Sequence, residues 1–463
     1  MIIDFIASIM QGGNQSLPLS LTQNEKHSPN PTLQLSRREM KALGYQVINI
    51  LVDHFDTLRE KAVTCKASKP NLDKMFLRPF PDTGADPVQV LHWLQQELFK
   101  NIMHVDHPRF FAFIPSPSNY VGVMADALAS GFNVFAGTWL GSPAAAEIEL
   151  VTIDWLRKTF GMPETSGGLF VSGGSMANLT ALTVARQTKK RSKSDRLVIY
   201  CSDQTHSSLE RGLKVIGFQT HQIRKLRTDD SFRLNISDLR HALSDDRKAG
   251  RIPFCVVGNA GTTNTGAVDP LPEIADICRA EELWFHVDGA YGAASIMCDE
   301  GRQLLKGIEH ADSISIDPHK WLFQPFEIGC VLLRDRERLR NTFRILPEYM
   351  KDVERGHEEI NFCDYGIQLT RGFRALKLWM SLQVFGVESF RKAIERGMTL
   401  AKTAEELLSQ SSSKWEVITP ASMGIVTFRY NPKAQRLPPS IRSCPGVARA
   451  LPTRWHTDPR ALN

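Results

Sequence analysis

The sequence predicts an α/β fold built around a mostly parallel sheet that is buried on both faces. Two observations carry that expectation. Between Pro108 and Arg344, short apolar or β-branched runs alternate with helical stretches such as Ala144 to Phe160. Short apolar runs separated by helices are the pattern of parallel strands covered on both sides. At 463 residues, moreover, the chain suits one large domain with satellites rather than a single simple core.

Taken in order, residues 1–34 read as a disordered leader. Met1 to Met10 is apolar but short and has no basic flank, so neither a signal peptide nor a membrane span is expected. Gln11 to Pro31 is polar and rich in Asn, Gln, Ser and Pro, with little to bury. An N-terminal helical segment follows over 35–107. Ser36 and Glu39 fit a capping box ahead of an apolar stripe at Val47, Ile48, Leu51, Val52 and Phe55. A second helix is predicted from Pro87 to Met103. Two helices without a sheet bury little by themselves, so they are expected to pack on another body, a partner subunit.

The large domain spans 108–345, with strands predicted at Gly168 to Val171, Leu197 to Cys201, Phe254 to Val257, Leu283 to Val287, Ser313 to Ile316 and Gly329 to Leu333. A smaller C-terminal domain spans 346–432. It holds helices at Phe373 to Phe385 and Val387 to Leu408 and strands at Trp415 to Ile418 and Ile425 to Tyr430. In 433–463 Pro, Arg and Ser dominate and no period survives, which predicts an atypical tail. No internal repeat of solenoid period is present.

Bulk composition excludes several classes. Hydrophobic residues at 42% and charged residues at 23% are ordinary for a globular protein. The net charge of +6 is small, and no basic run is interleaved with aromatics, so nucleic acid is not an expected partner. Eight cysteines stand singly with no Cys-x-x-Cys pair, which argues against a metal site or a disulfide framework and for the cytoplasm.

Ligands of open parallel sheets bind beyond the carboxyl ends of the strands, so those ends come next. The first run ends in Ser172-Gly173-Gly174-Ser175 and opens a helix from Met176 to Gln187. Such a turn is either a plain strand-to-helix connection or a phosphate cradle of backbone N–H groups on a helix dipole. The G-x-G-x-x-G dinucleotide spacing is absent. The second run leads to His206, a helix-capping or catalytic histidine. The third leads to the hydroxyl-rich turn Gly261 to Gly266, with Asp269-Pro270 as N-cap and first residue of the next helix. The fourth ends in Asp288, which either caps a turn or holds a buried cation. The fifth runs into Asp317-Pro318-His319-Lys320-Trp321. A lysine wedged between His and Trp at a strand end is placed for nucleophilic amine chemistry rather than for solvation.

No one of these signals decides the chemistry, but their combination does. A phosphate turn, a histidine, a hydroxyl turn, an aspartate and a lysine at successive strand ends match the needs of pyridoxal 5'-phosphate (PLP). That cofactor requires an anchor for its phosphate, a cover for its ring, an acid for its pyridine nitrogen and an amine for its aldehyde.

The stretches HVDGAYG (His286 to Gly292), DPHKWL (Asp317 to Leu322), HPRFFAFIPSPSNY (His107 to Tyr120), SDQTHSSLERG (Ser202 to Gly212) and SPAAAEIE (Ser142 to Glu149) resemble the PLP-dependent group II decarboxylases. Within that family they are most similar to the aromatic-L-amino-acid decarboxylases. The resemblance covers residues 35 to 431. It implies an aspartate-aminotransferase-like (fold type I) large domain, a small C-terminal α+β domain truncated here, and a homodimer. Lys320 then resembles the lysine that holds the cofactor aldehyde, and Asp288 the carboxylate that keeps the pyridine nitrogen protonated. His206 and Ala290 match the positions on the two ring faces. Gly174, Ser175 and His319 match phosphate-side positions, and Thr263 a hydroxyl near the cofactor's 3-oxygen. Asp317 stands where many members have Asn, and an ionised carboxylate there would repel the phosphate.

The resemblance also bears on reaction and substrate. Pro347-Glu348-Tyr349 matches a P-x-Y motif whose tyrosine assists protonation at Cα, with Met350 to Asp364 as a lid. Aldehyde synthases of the family typically replace that tyrosine, so Tyr349 favours simple decarboxylation. Phe111, Phe113, Ile114, Pro115 and Ser116 resemble one segment of the side-chain pocket. Phe135, Gly137 and Trp139 resemble a second, contributed by the other subunit, and Arg371 matches an arginine near the site. Gly137 stands where some members carry a bulky aromatic, which implies a widened pocket. The implied substrate is an aromatic L-amino acid, tryptophan first, then phenylalanine, tyrosine and DOPA. Since residues 433–463 resemble nothing in the family, a fragment that binds PLP or an intact homologue without turnover is the alternative expectation.

Overall fold

The computed structural model describes residues 33–189, 194–345 and 359–431. The leader up to residue 32, Tyr349 with most of the predicted lid, and the tail from residue 432 lie outside the described residues. Those residues fall into two compact units, divided at Leu58/Arg59, Cys65/Lys66 and Asn101/Ile102.

The smaller unit holds α1 (Arg37–Thr57), α2 (Lys69–Phe76) and α3 (Pro87–Trp93), with α1 against α3. The predicted capping box is formed: Ser36 N–H donates to Glu39 Oε2 at 2.8 Å, and Glu39 N–H to Ser36 Oγ at 3.3 Å. Of the predicted stripe, Ile48, Leu51 and Phe55 are half-buried, whereas Val47 and Val52 are exposed. The helix expected to run from Pro87 to Met103 is α-helical only to Trp93. It continues as a π turn over Leu94–Leu98 and a 3₁₀ turn over Phe99–Asn101. Apolar spacing reports helical winding, and it does not distinguish the hydrogen-bond partner that separates α from π.

The larger unit carries α4 (Tyr120–Gly131) and α5 (Pro143–Thr159), then a seven-stranded sheet. Its strands are β1 (Gly167–Val171), β2 (Leu197–Ser202), β3 (Ile223–Leu226), β4 (Ile252–Asn259), β5 (Trp284–Asp288), β6 (Ser313–Ile316) and β7 (Gly329–Leu333). The order across the sheet is β1-β7-β6-β5-β4-β2-β3. Strands β2 to β6 pair in parallel, and β7 runs antiparallel to both of its neighbours. The intervening helices are α6 (Gly174–Thr188), α7 (Ser207–Val215), α8 (Ile236–Lys248), α9 (Leu271–Ala280), α10 (Asp299–Leu304) and α11 (Glu337–Phe343). All six predicted strands are present. The seventh, β3, escaped notice because it is an edge strand of sequence IRKL, with one buried residue and two cations. Charged side chains on an edge strand discourage further pairing and remove the apolar signature.

Helix α12 (Ala375–Gln410) is interrupted at Gly386, whose φ of 71° and ψ of 157° are not helical. The two predicted helices therefore meet at that glycine. Strands β8 (Trp415–Ser422) and β9 (Ile425–Tyr430) form an antiparallel pair packed on α12. The tip of this hairpin reaches the large sheet. Gly424 N–H donates to Tyr291 Oη at 3.0 Å, and Ser422 Oγ donates to the Gly266 carbonyl at 2.8 Å. Tyr291 packs on Trp321 with ring centroids 4.8 Å apart, so the hairpin buttresses the segment carrying Lys320. Among the described residues no helix is long and apolar enough to cross a membrane.

Candidate active site

A cavity of about 350 Å³ opens beyond the carboxyl ends of β2, β4, β5 and β6, where the strand rule places it. Gly174, Ser175, His206, Thr263, Asp288, Ala290, His319 and Lys320 all line it. Eight residues separated by up to 146 positions (320 − 174) thus meet because the sheet aligns its strand ends.

Each side chain is set by local structure. Gly173 and Gly174 open α6 where space is scarce: a Cβ on Gly174 would stand 2.8 Å from both Ala290 Cβ and Asp317 Oδ2. His206 caps α7, its Nδ1 accepting from Ser208 N–H at 3.2 Å. Its ring stands open to the cavity, and partial burial holds the imidazole below its ordinary range, so it is neutral at pH 7. Asp288, the last residue of β5, accepts from Asn178 Nδ2 at 2.9 Å, Ser315 Oγ at 3.2 Å and Ala290 N–H at 3.2 Å.

Lys320 Nζ lies 3.2 Å from Asp317 Oδ2. Asp317 is buried, and its Oδ1 makes no hydrogen bond. Burial raises its carboxyl to about 6, partly offset by Lys320. Burial and the Lys320 charge lower His319 to about 4, leaving it neutral with Nδ1 accepting from Ile328 N–H at 3.3 Å. Asp269 does not cap its helix as expected. Its carboxylate turns inward to accept from Leu234 N–H at 2.7 Å and Asn259 N–H at 2.8 Å, tying the end of β4 to the loop before α8.

Residues 71–431 match the family model described as the pyridoxal-dependent decarboxylase conserved domain. The chain belongs to the pyridoxal-dependent decarboxylases. It is 52% identical over 401 residues to an aromatic-L-amino-acid decarboxylase of Bacillus atrophaeus, covering 86% of this chain and 83% of the relative. A phenylacetaldehyde synthase of Arabidopsis thaliana is 33% identical over 411 residues, with 86% and 84% covered. The crystal structure of Oryza sativa TDC with PLP and tryptamine superposes with a TM-score of 0.81 at 31% identity, over 86% of this chain and 85% of that one.

The decarboxylase uses PLP, and its cavity fits that cofactor. A primary amine, a buried carboxylate, a neutral imidazole and a glycine turn at a helix N-terminus converge there, one for each reactive part of PLP. Two residues expected near the substrate pocket have other surroundings in the single chain. Arg371 does not line the cavity: its guanidinium is buried, paired with Glu149 Oε1 at 2.6 Å and donating to the carbonyls of Ala136 and Phe170. An arginine so engaged braces α5 against β1. Gly137 does not open space either, because a Cβ there would meet Phe135 Cζ at 2.5 Å and the Leu369 carbonyl at 2.7 Å. The glycine permits close approach of backbone. Phe113, Pro115, Ser116 and Phe135 lie outside the cavity lining of the single chain.

Sequence reasoning missed Asn178, Ser208, Ser315 and Tyr291. Asn178 left a signal, as a fully buried amide in the largely apolar stretch Met176 to Leu182 of α6, where Thr180 is the other polar residue. It lies one turn past Gly174, on the face toward the sheet.

Proposed function

We propose that this enzyme decarboxylates an aromatic L-amino acid to its amine and CO2, with tryptophan the preferred substrate ahead of phenylalanine, tyrosine and DOPA. The observation that carries the chemistry is the convergence of Lys320, Asp288 and His206 on one cavity. The aromatic substrate is supported by the Bacillus atrophaeus aromatic-L-amino-acid decarboxylase and by the Oryza sativa structure, which holds tryptamine beside PLP.

In this assignment Lys320 supplies the amine that holds the cofactor aldehyde, and Asp288 keeps the pyridine nitrogen protonated. His206 and Ala290 cover the two ring faces. Gly174, Ser175 and His319 hold the phosphate, and Thr263 sits toward the 3-oxygen. PLP, when bound, supplies an electron sink for the bond to the departing carboxylate. Tyr349 delivers a proton to the substrate Cα, which commits the product to amine.

A homodimer is part of the same proposal. Phe111, Phe113 and Phe135 are 91%, 73% and 38% exposed in the single chain, unusual for segments assigned to a substrate pocket. The seven described cysteines are all unpaired, which supports a reducing compartment such as the cytoplasm.

A second reading, aromatic aldehyde synthase, is favoured by the Arabidopsis thaliana relative. Mass spectrometry of products tests both readings. The purified protein is given PLP and a mixture of tryptophan, phenylalanine, tyrosine, DOPA, histidine and glutamate. Tryptamine as the main product supports the proposal, and aldehyde with peroxide supports the second reading. Bound PLP without any product points to a chain that holds its cofactor without turnover.

A further inference from the structure

Behind the cavity, a chain of hydrogen bonds runs through the sheet to Asp288. Trp284, His286 and Asp288 alternate along β5 and share one face of the strand. Ser313 of β6 is the register partner of His286, and α6 packs over both strands. Trp284 Nε1 donates to Ser313 Oγ at 2.9 Å, and Ser313 Oγ lies 2.9 Å from His286 Nδ1. His286 Nε2 lies 3.0 Å from Asn178 Oδ1, and Asn178 Nδ2 donates to Asp288 Oδ2 at 2.9 Å. Asn178, His286 and Ser313 are fully buried, and none of them lines the cavity.

The direction of every bond follows from the chemistry of its ends. With its amide nitrogen toward Asp288, Asn178 offers only an acceptor to His286, so His286 carries its proton on Nε2. Burial lowers His286 to about 4 and keeps the ring neutral, so Nδ1 is an acceptor and Ser313 must donate to it. The Ser313 oxygen in turn receives the indole N–H, which can only donate. All four bonds therefore point toward the Asp288 carboxylate, and aligned bonds polarise one another. Asn178 Nδ2 also reaches Ser208 Oγ at 3.3 Å, and that hydroxyl lies 2.8 Å from His206 Nδ1.

We infer that Asn178, locked in one amide orientation by His286, is the positioning residue that fixes both Asp288 and His206 for catalysis. The inference rests on the assignment of Asp288 to the pyridine nitrogen. Without His286 the amide oxygen loses its buried donor, and Asn178 is held in place only by its bonds to Asp288 and Ser208, so its grip on both loosens. Neither Asn178 nor His286 reaches the substrate, so the effect belongs in turnover rather than in substrate binding.

The test uses protein reconstituted with PLP labelled by ¹⁵N in the pyridine ring, compared at pH 8 by nitrogen chemical shift and by steady-state kinetics. Asn178→Leu is expected to shift the nitrogen toward its unprotonated value and to lower kcat about ten-fold with KM little changed. His286→Leu should act in the same direction, and His286→Gln, whose amide N–H can donate to Asn178, should recover most of the loss. Should Asn178→Leu fail to fold, the His286 pair carries the test alone. A wild-type shift and kcat in both Asn178→Leu and His286→Leu would overturn the inference. So would equal losses in His286→Leu and His286→Gln, since a merely packed side chain gives no such rescue. Asp288→Asn separates the two levels. If it too leaves the shift unchanged, the assignment of Asp288 has failed; if it alone moves the shift, only the role of Asn178 has.

Discussion

Three residues carry predictions on the proposed chemistry. Lys320→Ala should abolish the visible absorbance band of protein-bound PLP, because no other amine-bearing side chain lines the described cavity. Tyr349→Phe should move product from amine toward aldehyde and peroxide, measured by product analysis under air; unchanged amine output would remove Tyr349 from the mechanism. Asp317 predicts a pH dependence. Its carboxyl titrates at about 6, so below that pH it is neutral and tolerates a phosphate beside Gly174. As pH rises through 6 it ionises and repels the phosphate, so PLP affinity should fall. Asp317→Asn removes that charge. Spectroscopic titration of the cofactor-free protein should show tighter PLP binding by the variant at pH 8 and nearly equal binding at pH 5.

Between elements, Arg371, which the resemblance puts near the site, forms a buried pair with Glu149 that braces the fold. Glu149 Oε1 also accepts from Phe170 N–H at 2.9 Å, so one carboxylate joins α5, β1 and the segment before α12. Removing one partner of a buried pair leaves an uncompensated charge, which costs about 3–5 kcal/mol. Arg371→Leu should lose stability of that order in urea unfolding, while kcat/KM per folded molecule changes little. A selective rise in KM without loss of stability would return Arg371 to the substrate pocket. The strand-end motifs were legible because each is a local string: a run of apolar residues, then the polar residues that follow it. Arg371 was not, because its partners lie 222 and 201 residues away in sequence.

For the molecule as a whole, cofactor and fold are thermodynamically linked. A ligand that binds only the native state stabilises it by about 2.7 kcal/mol at a hundred times its dissociation constant. PLP should therefore raise the melting temperature of the cofactor-free chain, measured by calorimetry or fluorescence. No rise would mean that the native chain does not bind PLP, against the proposed function.

The sequence by itself determined the parallel sheet, the helices that cover it, and the identity of the groups at the strand ends. Those properties are set by hydrophobic period and by residues adjacent in the chain. Only the tertiary structure decided which polar groups face the cavity and which are spent holding it together. The glycine at 137 lies against the Leu369 carbonyl, Arg371 is buried on Glu149, and Asn178 joins His286 to Asp288 across more than a hundred residues. A hydrogen bond depends on distance and direction between atoms, and those are fixed only when α6, β5 and β6 pack together.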